Sequence, residues 1–119
     1  MAVSRTVMIA GAGIGGLTAA LAIAQAGFRV AIYEQAERLE ETGAGIQLSP
    51  NASRVLLALG LRDRLEPNLV VPEQLRVMSV PSGRMLARAP LGADVAQRYG
   101  APYWVIHRAD LQAALLEAV

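Results

Sequence analysis

The chain has no cysteine, which excludes disulfides, thiolate-bound zinc and cysteine-ligated clusters. It also has no lysine. All 11 basic residues are arginine, so a lysine Schiff base and a phosphate-loop lysine are excluded. The single histidine, His107, cannot build a histidine-rich metal site, and no metal is expected. Aromatic residues make up only 4% of the 119, so the core must be assembled from Ala, Val, Leu and Ile. A net charge of +1 leaves no electrostatic footprint for nucleic acid. The 54% hydrophobic content excludes disorder, and the length allows one domain at most. That content exceeds what an isolated α/β domain of this size needs. It predicts exposed apolar surface that packs on further chain or on a partner.

No charged residue occurs between Arg5 and Arg29. Such a run is long enough for a signal peptide or a membrane helix, and Ala22-Ile23-Ala24 resembles a cleavage site. Against this stand Gly11, Gly13, Gly15 and Gly16, each costing about 1 kcal/mol relative to Ala inside a helix. They split the run in two. Thr6-Val7-Met8-Ile9-Ala10 reads as a strand buried on both faces, and Gly11 to Gly16 as a tight turn. Ile14 to Ala26 reads as a helix with Ile14, Leu17, Leu21 and Ala24 on one stripe. Gly27 sits where a helix C-terminal glycine belongs, and Phe28 to Tyr33 reads as a second strand ending at Glu34. The unit is βαβ, with a right-handed crossover expected.

Within it, Gly11-x-Gly13-x-x-Gly16 is the dinucleotide-binding pattern, in the position that pattern requires. Gly11 permits the sharp turn out of the strand. Gly13 has no Cβ, so a pyrophosphate can approach the backbone. Gly16 allows close packing of helix on sheet. The helix N-terminus offers unpaired N–H groups and a partial positive charge. Glu34 can accept hydrogen bonds from both hydroxyls of an adenosine ribose, and its charge disfavours a 2′-phosphate there. The competing reading is an ordinary glycine turn with Glu34 as a solvated strand end.

Residues 35–41 form a polar connection. Small residues then recur in Thr42-Gly43-Ala44-Gly45-Ile46-Gln47-Leu48, which lets backbone approach a flat ligand. Ser49-Pro50 predicts a helix start, with Ser at the cap and Pro at the first position. Ala52, Val55, Leu56 and Leu59 supply the inward stripe of that helix, and Gly60 closes it. Leu61 to Leu65 is a short helix or turn. Glu73 to Val80 alternates as a half-buried strand, Pro81-Ser82-Gly83-Arg84 is a turn, and Met85 to Arg88 is its hairpin partner. Tyr103 to Ile106 is a further strand, and Asp110 is the expected N-cap of a last helix containing Leu111, Ala114 and Leu115. Met78 and Trp104 are expected in the core, and His107 is expected to be a structural strand end. A cation at Arg108, just before a helix N-terminus, is unfavourable by a few tenths of a kcal/mol unless an anion binds there.

Four blocks in order, Gly11-Ala-Gly-Ile-Gly-Gly16, Tyr33-Glu34-Gln35, Gly43 to Asn51 and His107-Arg-Ala-Asp-Leu111, resemble the N-terminal part of the group A flavoprotein monooxygenases. The salicylate hydroxylase and 3-hydroxybenzoate 6-hydroxylase branch is the most similar in wording. The resemblance implies an α/β fold: a Rossmann-like βαβ FAD-binding unit with an inserted β-hairpin, incomplete relative to the family. It implies that residues 1–119 are the N-terminal part of an FAD-binding domain, cut short, since the family's later Asp-Gly and Gly-Asp motifs do not occur. FAD is the implied cofactor. Gly11, Ala12, Gly13, Ile14, Gly15 and Gly16 would hold its pyrophosphate, Glu34 its ribose, and Gln35 would lie near the adenine. Gly45, Ile46 and Gln47 would run toward the flavin, and Arg108 would bind the ribityl-pyrophosphate region, with Arg38 reaching a phosphate or the adenine.

The implied activity is hydroxylation of a small aromatic substrate with NAD(P)H and O2 in a cytoplasmic enzyme, without nucleic acid or membrane. No catalytic residue is identified within the chain, which by itself is expected to be inactive. Two other readings remain open. One is part of another FAD- or NAD-dependent oxidoreductase. The other is a non-enzymatic chain that completes a partner.

Overall fold

The computed structural model describes residues 5–39 and 43–119. The opening unit consists of β1 (Thr6–Ala10), α1 (Ile14–Gln25) and β2 (Arg29–Tyr33). The two strands are parallel, with Thr6 opposite Arg29 and Ala10 opposite Tyr33. α1 stops where the glycine predicts. Gly27 has φ +92°, its N–H bonds the Ala24 carbonyl at 3.0 Å, and the Phe28 N–H bonds the Ile23 carbonyl at 3.3 Å. These paired bonds satisfy carbonyls that the helix end would otherwise orphan.

The second layer is built from distant pieces. β3 (Gly45–Leu48) runs antiparallel to β6 (Trp104–His107), with Gly45 opposite His107 and Leu48 opposite Trp104. On the other edge of β6, Val70 and Val105 exchange two backbone bonds of 2.8 Å. α2 (Pro50–Ala58) and α3 (Arg62–Leu65) follow β3, and a single 3-10 turn covers Glu66–Asn68. Ser49 caps α2 in extended conformation and Pro50 is its first residue. The Ser49 hydroxyl, however, donates to the Asn51 side chain and not to the helix backbone. β4 (Gln74–Met78) and β5 (Met85–Pro90) form the hairpin, α4 (Gly92–Tyr99) follows it, and α5 (Arg108–Ala118) closes the described chain.

The core lies where α1 meets α5. It joins Leu17 and Leu21, Leu56 of α2, Leu61 and Leu65, Trp104 and Ile106 of β6, and Leu111 and Leu115 of α5. Leu17, Leu65 and Leu115 are fully buried, each worth about 1.5–3 kcal/mol of transfer free energy. Ser53, also fully buried, donates its hydroxyl to the Pro102 carbonyl at 2.6 Å and ties α2 to the entry of β6.

Several expectations are corrected. β1 is covered on one face only: Val7 and Ile9 are half-buried while Met8 is 74% exposed, because α1 packs on a single side of the two-stranded sheet. On α1, Ala20 is buried and Ala24 exposed, and on α2 Val55 points outward while Ser53 takes the inward place. Met78 is not a core residue but is 49% exposed, and Trp104 is buried as expected. The hairpin is not half-buried. Leu75, Val77, Met85 and Leu86 are all exposed, since nothing among the described residues covers either of its faces. Asp110 is not the N-cap of α5. His107 holds that place, and Asp110 lies in the first turn. The connection over residues 35–41 and the start of the second small-residue stretch fall partly outside the described residues, at positions 40–42. Among the described residues no helix is long and apolar enough to cross a membrane, and no cluster of candidate ligands could hold a metal.

Candidate functional site

The glycine turn is tied to both strands of the opening unit. It leaves β1 at Gly11, which has φ +99°, a conformation that side chains with a Cβ rarely adopt. The Gly11 N–H donates to the Tyr33 carbonyl at 2.7 Å, so the turn begins hydrogen-bonded to the end of β2. Gly16 is required for another reason. A Cβ there would lie 2.0 Å from the Gly11 carbonyl oxygen and 3.5 Å from the Ile9 side chain. The close approach expected of helix on sheet is therefore chiefly an approach of α1 to the turn itself.

Gly13 is the N-cap of α1, and the Leu17 N–H donates to its carbonyl at 2.9 Å. No side chain caps this end and no acidic residue occupies the first turn. The first N–H groups of the helix are thus left to whatever lies in front of them. A Cβ on Gly13 or Gly15 would meet nothing within 4 Å, so the space there is open.

Glu34, one residue past β2, reaches back to this turn. Its Oε2 accepts the Ala12 N–H at 2.7 Å and its Oε1 accepts the Ala36 N–H at 3.1 Å. The Ala12 amide, followed by that of Ala36, holds the carboxyl below its ordinary pKa of 4.5; desolvation opposes them, and the Gln35 amide contributes least. The ionised form is the one these donors favour. Gln35 and Arg38 are exposed on the same connection.

The second half of the site comes from the antiparallel pair. Gly45 and Gln47 on β3 are exposed and Ile46 is half-buried. The Gln47 side-chain carbonyl accepts the Tyr103 hydroxyl at 2.7 Å, which fixes it across the sheet. Arg108, the first residue of α5, donates its backbone N–H to the Ala44 carbonyl at 3.4 Å. Its Cδ would lie 3.7 Å from a Cβ on Gly43. The structure therefore brings Arg108 beside the second small-residue segment.

One residue joins the halves and was not anticipated. Gln112 is 6% exposed, and its Nε2 donates to the Ala12 carbonyl at 3.2 Å. Arg108 lies four residues earlier on α5, hence on the same helix face. The sequence signal was slight: a glutamine sitting among Leu111, Ala114 and Leu115, on a face that should otherwise be apolar. A separate open cavity of about 600 Å3 lies between the start of α2, α4 and Tyr103, with Asn51, Leu91, Val95 and Tyr99 in its wall.

Residues 9–40 match the family model described as an NAD(P)-binding Rossmann-like domain. The chain is 44% identical over 111 residues to the 3-hydroxybenzoate 6-hydroxylase of Polaromonas naphthalenivorans, covering 93% of this chain and 28% of that protein. It is 47% identical over 115 residues to a 3-amino-4-hydroxybenzoate 2-monooxygenase of Streptomyces cremeus, covering 95% and 29%. Among solved structures, Klebsiella pneumoniae HpxO complexed with FAD and uric acid superposes with a TM-score of 0.82 at 30% identity, over 95% of this chain and 28% of that one. The chain thus spans less than a third of the length of the curated relatives it matches. The two sequence relatives are named as hydroxylating enzymes of substituted benzoates, the solved neighbour holds FAD, and the chain shares the Rossmann-like α/β fold of that neighbour.

Proposed function

We propose that this chain supplies the adenosine-diphosphate half of an FAD site in a flavin monooxygenase that hydroxylates a small aromatic substrate with NAD(P)H and O2. The observation that carries this reading is the Glu34 carboxylate bonded to the Ala12 amide, beside an open helix N-terminus with no side chain of its own to cap it.

The donor set fits the group. Phosphate oxygens would meet the N–H groups at the start of α1, from Gly13, Ile14, Gly15 and Gly16, where the helix dipole favours negative charge. The space a Cβ would fill at Gly13 is the space a pyrophosphate needs. A carboxylate has about four acceptor positions. Glu34 uses two of them on Ala12 and Ala36, which leaves acceptor capacity for ribose hydroxyls. Gln35 would border the adenine. Gly45, Ile46 and Gln47 would run along the ligand toward its flavin end, and the Arg108 guanidinium would neutralise phosphate charge from α5. When bound, the flavin supplies the redox chemistry, and this chain's residues bind and orient it.

The test is a titration of the flavin-free protein with FAD, followed by flavin fluorescence and absorbance, with NAD run in parallel. Saturable FAD binding with a shifted flavin spectrum is expected. Binding of NAD but not FAD would favour another oxidoreductase built on the same unit, and binding of neither would reject a dinucleotide site.

A further inference from the structure

We propose that Gln112 is a positioning residue that aims the Gly13 N–H at the ligand's phosphate. The proposal rests on the dinucleotide reading above and extends it to a residue outside the glycine motif.

The argument follows from peptide planarity. In a trans peptide the C=O of one residue and the N–H of the next point in opposite directions. The peptide joining Gly11 to Ala12 is held at its N–H end by Glu34. Its C=O end then points toward Gly16, where a Cβ would lie 2.0 Å from that oxygen. The next peptide joins Ala12 to Gly13. Its C=O end is held by the buried Gln112 side chain at 3.2 Å. Its N–H end, on Gly13, must therefore point away from the Gln112 side chain, and a Cβ built on Gly13 would meet no atom within 4 Å. Two successive peptides at the centre of the turn are each fixed by one long-range side-chain bond, one from the end of β2 and one from α5.

The alternative orientation is costly for an anion. A flip of the Ala12–Gly13 peptide would present a carbonyl oxygen to the phosphate and bury an N–H against α5. Gln112 opposes this because its Nε2 faces the Ala12 carbonyl and donates to it, so accepting a flipped N–H would require the buried side-chain amide to turn over as well. The residue is 6% exposed, so its donor has little access to water as a substitute partner. Gln112 need not touch the ligand, because it acts through the backbone of Ala12.

The experiment compares ADP with adenosine on the flavin-free protein as encoded, using calorimetric titration. Gln112→Met keeps the length and removes the donor. It is expected to weaken ADP binding about tenfold, the scale of one hydrogen bond to a charged group, and to leave adenosine affinity within about twofold. Gln112→Glu provides a second readout. Its protonated carboxyl donates to the Ala12 carbonyl and its ionised form repels it, so ADP affinity relative to wild type should recover as pH is lowered. Equal ADP affinity in Gln112→Met and wild type would overturn the positioning role while leaving the dinucleotide reading intact. Parallel loss of adenosine and ADP would indicate a collapsed site and overturn it as well. Failure of the wild-type protein to bind ADP at all would remove both proposals together.

Discussion

Glu34 and Ala12 stand 22 residues apart in the chain and meet through a 2.7 Å bond from amide to carboxylate across the mouth of the glycine turn. The bond makes the acidic tip of β2 part of the turn's own structure as well as a candidate ribose ligand. It also explains the direction of the acid's pKa, because the amide donors stabilise the ionised carboxyl.

A pH dependence follows from that direction. The folded-state pKa of Glu34 lies below the unfolded value near 4.5, so its contribution is complete above that value and is lost as pH falls through the folded pKa. Glu34→Gln should flatten the acid limb of a plot of Tm against pH and leave the neutral region with a similar slope. Parallel wild-type and variant curves from pH 7 down to pH 3 would show that the bond is not coupled to folding.

Two glycines one position apart should behave in opposite ways. Gly16→Ala drives a methyl against the Gly11 carbonyl and should cost at least about 2 kcal/mol in urea denaturation, as a hard overpacking contact does. Gly15→Ala places its methyl in open space on α1. It should leave stability unchanged or raise it by up to about 1 kcal/mol. Similar losses at both positions would contradict the steric assignment.

Ser53→Val tests the junction of α2 with the entry to β6. It removes the donor to the Pro102 carbonyl at a fully buried position, and a loss of roughly 1–3 kcal/mol is expected. Ser53→Thr, which keeps a hydroxyl, should recover part of the loss if its methyl is accommodated. A valine variant as stable as wild type would show that the carbonyl finds another partner.

Arg108→Ala should lower FAD affinity about tenfold, the scale of one charge-assisted bond, while adenosine affinity stays within about twofold. Stopped-flow dissociation of FAD would locate the change in the off-rate. Unchanged FAD affinity would remove Arg108 from the phosphate-binding set.

Much of the opening unit could be read before any coordinates, because its signals are local. A short apolar run, clustered glycines, a helical stripe ending at Gly27 and a second apolar run lie next to one another, and β1 and β2 pair as that order requires. The rest depended on distant partners. β3 has four residues and exists as a strand because β6 lies beside it. α4 escaped detection because it is only eight residues long, opens on Gly92 without a side-chain cap, and buries none of its residues fully. The hairpin was placed correctly along the chain, yet its alternation suggested burial on one face that the structure does not provide. At α5, Asp110 looked like a cap by residue type. The extended backbone at His107, set by its pairing with Gly45, starts the helix earlier. Gln112 was invisible for a related reason, since a buried glutamine declares itself only through the carbonyl it serves.

The pairing of Gly45 with His107 closes a loop of about sixty residues, whereas the two strands of the opening unit are joined across a single helix. Contacts between remote parts of a chain form more slowly than local ones. During synthesis the glycine bend therefore emerges first. Arg108 and Gln112, which the proposed site adds to it, arrive only after α5 has left the ribosome, so on that proposal nucleotide capture should come late in maturation.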